Sequence, residues 1–193
     1  DEPGLGWPSW AFENHDAPRA VSRWCKPEER EAFAGMKAML FASLRGNIIV
    51  YQGEELGLAQ VDIPFEQLQD PEAIANWPLT LSRDGARTPM PWMVQSGEGG
   101  FTSGAPWLPL GEENLARAVD RQEADPESLL NLTTALLHMR RAHPALRHGT
   151  FEVLHADECL LAIRRVSDEQ SIAGLFNLSS IPVVCPQGLV REG

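Results

Sequence analysis

The sequence predicts an α/β fold in which a parallel α/β part comes first and an antiparallel β part follows. A helix with apolar residues at every third or fourth position leads into a continuous apolar strand at residues 47–51. Beyond Gly149 the apolar period changes to two, as in half-buried strands. We therefore predict a first domain over residues 1–148 and a β domain over residues 149–193.

A short strand and a helix are the first predicted elements. Residues 9–12 read as a buried strand that runs into a polar cluster at residues 13–16. Lys26-Pro27-Glu28-Glu29 opens a helix, because proline and acids suit the unpaired amides of a first turn. Gly46 is a natural stop, since glycine adopts the left-handed conformation. The predicted apolar face consists of Ala32, Phe33, Met36, Met39, Leu40 and Leu44.

The strand at Asn47–Tyr51 completes a strand–helix–strand unit. Its apolar, β-branched run without alternation is typical of parallel sheets that helices cover on both faces. The crossover of such a unit is right-handed.

A long stretch rich in Gly and Pro follows, over residues 52–125, in which Asp70 starts one short helix. Irregular segments of this length are usually functional. A second clear helix opens with Asp125 as its N-cap and ends near Pro144. Its predicted buried face consists of Leu129, Leu130, Leu132, Leu136, Leu137 and Met139.

The alternating pattern beyond Gly149 predicts four strands separated by turn residues. They are Thr150–His155, Cys159–Val166, Ser171–Leu178 and Ile181–Val184.

Charge and composition exclude several function classes. Sixteen Lys and Arg against 27 Asp and Glu give a net charge of −11, which disfavours nucleic acid and anionic membrane surfaces as partners. The apolar runs are far shorter than the ~20 residues that a membrane-spanning helix needs. Three widely spaced cysteines and the lack of a signal peptide predict a reducing compartment, the cytoplasm. Because the chain starts at Asp1, we expect a processed protein or a piece of a longer one.

The densest polar cluster is Asn14-His15-Asp16 followed by Arg19, just past the first predicted strand. Residues at the carboxyl end of a parallel strand face the ligand crevice, so this cluster could stabilise a cation or hold sugar hydroxyls. The alternative is structural: Asp16 caps a turn and Arg19 forms a salt bridge with it.

Two further clusters follow the second strand. Glu54 and Glu55 are adjacent, so they cannot cooperate on one face, and one of them is expected to bind backbone amides or an arginine. Arg83 and Arg87 flank an Asp-Gly turn that could present a guanidinium to hydroxyls, the alternative being a solvated loop. The spacing of the histidines predicts no metal site, and no motif predicts a cofactor.

Three segments in this order resemble glycoside hydrolase family 13, the α-amylase family. Trp10–Arg19 resembles its fourth sequence signature, and Tyr51–Gly57 resembles the segment after its last barrel strand. Ser82–Trp92 resembles a loop of the α-glucosidase and oligo-1,6-glucosidase branch, although Pro91 stands where many relatives carry Gln. The resemblance extends over essentially the whole chain.

This resemblance implies the last two βα units of a TIM (β/α)8 barrel and the start of a C-terminal β domain. It also implies site roles in a retaining, exo-acting enzyme. Asp16 would be the third family carboxylate, which stabilises the transition state, and His15 would contact the same sugar. Arg83 would bind the hydroxyls of the non-reducing end, with Arg87 as the second choice.

The nucleophile and the acid/base of the family lie on earlier strands, and nothing in these residues matches them. We therefore expect a part of an α-glucosidase that is inactive alone, whose partners are an α-glucosidic oligosaccharide and the remainder of its own barrel. The alternatives are a non-catalytic member that binds sugar or a partner protein, and a structural domain with motif remnants.

Overall fold

Residues 6–80, 82–186 and 188–189 are described by a computed structural model. Backbone contacts divide the chain into two units, each built from segments that are distant in sequence. The first unit comprises the described residues within 1–10, 35–49 and 133–193, and the second comprises those within 11–34 and 50–132.

The first unit contains the predicted parallel strand pair in a shortened form. Strand β1 (Ser9–Trp10) and strand β2 (Asn47–Ile48) run parallel, with Ser9 opposite Asn47. The strand predicted to reach Tyr51 ends early, because the N–H of Tyr51 donates to the Glu54 carboxylate at 3.1 Å and the chain turns. Gly46, just before β2, has a φ of +114°, and a Cβ there would lie 2.3 Å from the Pro8 carbonyl oxygen.

Seven α-helices occur in the described residues, and the two long ones were predicted. They are α1 (Ala20–Arg23), α2 (Arg30–Ser43), α3 (Pro71–Asn76), α4 (Glu112–Leu115), α5 (Val119–Ala124), α6 (Leu129–Ala142) and α7 (Pro144–His148). A 3-10 turn at Pro27–Glu29 leads into α2, as the Lys26-Pro27 start predicts. Asp70 is the N-cap of α3 and accepts from the N–H of Glu72 at 3.2 Å.

Helix α6 departs from its prediction in two respects. The N-cap is Ser128 rather than Asp125, because the Ser128 hydroxyl accepts from the N–H of Asn131 at 3.2 Å. The Asp125 carboxylate instead accepts from a backbone N–H in the preceding turn. Leu137 and Met139, predicted to be buried, are 40% and 38% exposed.

An antiparallel sheet of order β3-β4-β5 completes the first unit. Its strands are β3 (Thr150–Ala156), β4 (Leu160–Val166) and β5 (Ser171–Asn177). The fourth predicted strand, Ile181–Val184, is wrong. The Asn177 amide donates to the Ile181 carbonyl at 2.8 Å and closes a turn, and Pro182 has no N–H for a ladder.

The second unit gives the Gly/Pro-rich stretch two small apolar cores of its own. One core contains Ile63, Leu68, Ala73 and Leu108, with Val61 packed against it. The other contains Leu56, Leu58 and Met90, with Val119 and Leu130 packed against it. Within the described residues, no helix is long and apolar enough to span a membrane.

Candidate functional site

Arg19 joins the three motif segments of the second unit. Its side chain is 1% exposed, and its Nη1 donates to Glu13 Oε2 at 3.2 Å and to the Gln52 carbonyl at 2.8 Å. Its Nη2 donates to the Ala86 carbonyl at 3.0 Å, which also accepts from the Tyr51 hydroxyl at 3.0 Å. The guanidinium carbon lies 4.6 Å from the centre of the Tyr51 ring, so the cation also meets an aromatic face. One buried side chain thus fixes the relative positions of residues 13, 52 and 86.

The structural alternative for Asp16 does not hold. Arg19 pairs with Glu13 and not with Asp16. The turn is formed by Asn14, whose side-chain oxygen accepts from the N–H of Asp16 at 2.8 Å. The Asp16 carboxylate is left half-exposed, at 55%.

Three of the four residues predicted for the site contact the fourth, Asp16. We call His15, Asp16, Arg83 and Arg87 the Asp16 cluster. Asp16 Oδ1 accepts from Arg87 Nη2 at 2.9 Å and from Arg83 Nη1 at 3.4 Å. Asp16 Oδ2 lies 3.3 Å from His15 Nε2, and Arg87 Nε donates to the His15 carbonyl at 2.8 Å.

Stability alone does not account for this cluster. Ion pairs between exposed side chains contribute about 0–1 kcal/mol, because solvent screens them and ordering long side chains costs entropy. Two arginines from a loop nonetheless converge on one oxygen of an exposed carboxylate. An accessible carboxylate beside fixed N–H donors can stabilise a developing positive charge and bind hydroxyl groups.

Asp70 belongs to the site and escaped sequence analysis. Its carboxylate accepts from Arg83 Nε at 2.9 Å and from Arg83 Nη2 at 2.5 Å. These hydrogen bonds hold the pKa of Asp70 well below its usual range and raise the pKa of Arg83. The sequence marks Asp70 only as a helix cap, because nothing in a spacing of 13 residues signals a contact with Arg83.

The two adjacent glutamates have different environments. Buried Glu54 binds the backbone N–H of Tyr51, which confirms that one of the pair is structural. Glu55 Oε2 is buried without a hydrogen-bond partner among the described residues. Burial raises the pKa of Glu55 above its ordinary value.

The described part of the chain contains all three cysteines and all five histidines of the sequence. No group of three or more His, Cys, Asp or Glu side chains is placed there to hold a metal ion. All three cysteines are free.

The family of the chain follows from its similarity to known proteins. Residues 2–149 match the model of the family described as Alpha amylase, catalytic domain. The chain belongs to the α-amylase family. This confirms the resemblance to glycoside hydrolase family 13 that the three motif segments carry.

Relatives within the family are similar along most of the chain. The "Probable alpha-glucosidase" of Rhizobium meliloti (strain 1021) is 44% identical over 175 residues, which cover 90% of this chain and 32% of the relative. The "Probable oligo-1,6-glucosidase 2" of Bacillus subtilis (strain 168) is 34% identical, with 90% of this chain and 34% of the relative covered. Among solved structures, the alpha-glucosyl transfer enzyme XgtA superposes with a TM-score of 0.86 at 47% identity, over 91% of this chain and 32% of that chain. This chain therefore spans about a third of the length of these α-amylase family members.

Proposed function

We propose that this chain is part of a retaining, exo-acting α-glucosidase that hydrolyses α-glucosidic bonds of short oligosaccharides. The observation that carries the proposal is the Asp16 cluster, in which a half-exposed carboxylate is held by two arginines and a histidine. The names of the relatives, α-glucosidase and oligo-1,6-glucosidase, support the substrate class.

The chemistry assigns Asp16 a supporting role. Retaining hydrolysis uses a nucleophile and an acid/base about 5–5.5 Å apart, around a transition state with oxocarbenium character. In the described cluster Asp16 pairs with arginines, and Asp70 pairs with Arg83. We therefore assign neither carboxylate the role of nucleophile or of acid/base. Asp16 would stabilise the positive charge that develops on the sugar, and His15 would contact the same sugar.

Arg83 and Arg87 would bind the hydroxyls of the sugar at the non-reducing end of the substrate. Both guanidiniums are partly exposed, and their contacts with Asp16 aim them at the place where that sugar would lie. Fixed donors of this kind favour a non-reducing end over the middle of a chain, which is what exo-action requires.

We further propose that the nucleophile and the acid/base come from the rest of the enzyme. Residues 10–14 and 47–51 would be barrel strands seven and eight, residues 26–46 and 127–143 the matching helices, and residues from about 149 a C-terminal β domain. Ile49 is 55% exposed beside β2, and such apolar surface suits packing against the remainder of the barrel. The isolated chain would have no glycosidase activity.

The experiment compares Asp16→Asn with the matched control Asp62→Asn in the complete gene product. Asp62 is an exposed acid of the same unit. We expect Asp16→Asn to lower kcat for p-nitrophenyl α-glucoside by about 10²–10³-fold with little change in KM, because the interaction acts mainly in the transition state. Asp62→Asn should match the wild type.

Two outcomes would contradict the proposal. A kcat for Asp16→Asn within about twofold of the wild type would contradict the role of Asp16. An inactive complete gene product, together with maltose binding by the 193-residue chain that Asp16→Ala abolishes, would establish the non-catalytic alternative instead.

A further inference from the structure

We infer that Asp70 is a positioning residue of the Asp16 cluster: it fixes the Arg83 guanidinium and balances its charge, so that Arg83 reaches Asp16 through Nη1 alone. The inference rests on the proposed function of that cluster. Asp70 does not touch Asp16 in the described contacts; it would act through Arg83.

The hydrogen bonds of Asp70 carry the inference. Asp70 is 1% exposed, and its two oxygens accept four hydrogen bonds, which is the full capacity of a carboxylate. Three come from Arg83: from its backbone N at 3.0 Å, from Nε at 2.9 Å and from Nη2 at 2.5 Å. The fourth comes from the N–H of Glu72 and caps helix α3. Both the backbone and the side chain of Arg83 are thereby tied to one buried group.

A second buried carboxylate holds Asp70 itself in place. Asp84 Oδ2 accepts from the N–H of Asp70 at 2.8 Å and from the N–H of Gln69 at 2.7 Å. Since Asp84 follows Arg83 directly, the two segments bind each other reciprocally. The Asp84 contact therefore fixes the backbone that carries Asp70, and the Asp70 carboxylate in turn fixes the guanidinium.

Charge balance explains why such a contact matters for Asp16. In the ion pairs of the site, the two carboxylates of Asp16 and Asp70 balance the two guanidiniums of Arg83 and Arg87. The charge of Asp84 is directed instead to the backbone N–H groups of residues 69 and 70. With Asp70 neutral, two cations would share the single carboxylate of Asp16 and weaken its field at the sugar. Without its hydrogen bonds to Asp70, the Arg83 side chain could also move nearer to Asp16, which now lies 3.4 Å from its Nη1.

The main test is a double-mutant cycle in the complete gene product with p-nitrophenyl α-glucoside. Asp70→Asn suits it, because Asn caps a helix as well as Asp but lacks the charge and the second carboxylate oxygen. Glu72→Gln is the matched control, an exposed acid in the first turn of the same helix. We expect Asp70→Asn to lower kcat by about ten- to a hundredfold, as a displaced positioning group does, with a smaller change in KM. Arg83→Ala should then cost little more in the Asp70→Asn background than Asp70→Asn costs alone.

A second measurement does not depend on activity. In the complete gene product labelled with ¹⁵N-arginine, the Arg83 Nε–H should exchange slowly with water in the wild type and in Asp16→Asn, and rapidly in Asp70→Asn. Unchanged slow exchange in Asp70→Asn would overturn the inference, as would fully additive kinetic effects of Asp70→Asn and Arg83→Ala. An inactive wild-type gene product would instead refute the proposed function, and the exchange measurement would still decide whether Asp70 holds Arg83.

Discussion

Replacing Arg19 by Met should remove a large part of the stability of the second unit. Methionine keeps most of the length of the side chain and removes the guanidinium. Glu13, whose side chain is 2% exposed, then loses its guanidinium partner at 3.2 Å, and the carbonyl of Gln52 loses a donor at 2.8 Å. Removing one partner of a buried ion pair costs about 3–5 kcal/mol, because a desolvated charge stays behind. The carbonyl of Ala86 keeps the Tyr51 hydroxyl, so we assign no further loss to it.

The assay is urea unfolding of the 193-residue chain followed by tryptophan fluorescence. The matched control is Arg121→Met, at an exposed arginine of α5 in the same unit, for which the change should stay within about 0.5 kcal/mol. The double variant Arg19→Met/Glu13→Gln should recover part of the loss, since the desolvated charge is gone. A loss below about 1 kcal/mol for Arg19→Met would refute the reasoning, because a buried pair cannot be broken so cheaply.

Two further predictions concern one titrating group and one glycine. Burial raises the pKa of Glu55, so its favourable contribution to stability is complete below the unfolded pKa and is lost as the pH rises through the folded pKa. The Tm of Glu55→Gln should therefore rise relative to the Tm of the wild type as the pH increases from 4.5 to 8. A Tm difference that does not change with pH would contradict the assignment. Gly46→Ala should cost at least about 2 kcal/mol in urea unfolding, because it combines a positive φ with a Cβ 2.3 Å from the Pro8 oxygen. The control Gly97→Ala, where a Cβ meets nothing within 4 Å, should be nearly neutral, and equal losses at both sites would exclude the steric cause.

Local sequence signals were sufficient for the two long helices, for the short helix that starts at Asp70 and for the position of the parallel strand pair. Proline and acids at Lys26–Glu29 mark a helix start whatever the rest of the chain does. The Asp16 cluster could be found because each of its residues sits in a short polar motif next to a predicted strand or turn. What joined these motifs was their resemblance to a family, since spacing alone does not bring residue 16 to residue 87.

Contacts that depend on tertiary structure escaped prediction. Arg19 binds carbonyl oxygens 33 and 67 residues away, and a carbonyl is the same acceptor in every residue. Asp70 has the sequence pattern of an ordinary helix cap, and that pattern does not indicate its further hydrogen bonds to Arg83. The apolar run at 181–184 has strand propensity, but a side chain at residue 177 turns the chain before it can pair.

Three arginines of the second unit, Arg19, Arg83 and Arg87, differ in how firmly their side chains are held. Arg19 is buried and held by three acceptors, so it fixes the segments and cannot move without unfolding. Arg83 is partly exposed and held on one edge by buried Asp70, which leaves Nη1 for the site. Arg87 contacts only Asp16 and the His15 carbonyl among the described side-chain contacts, so it is the arginine that a bound sugar can most readily displace. We therefore expect a ligand to reorganise the Asp16–Arg87 contact and to leave the Asp70–Arg83 and Arg19–Glu13 pairs intact, because only the first exchanges one exposed partner for another.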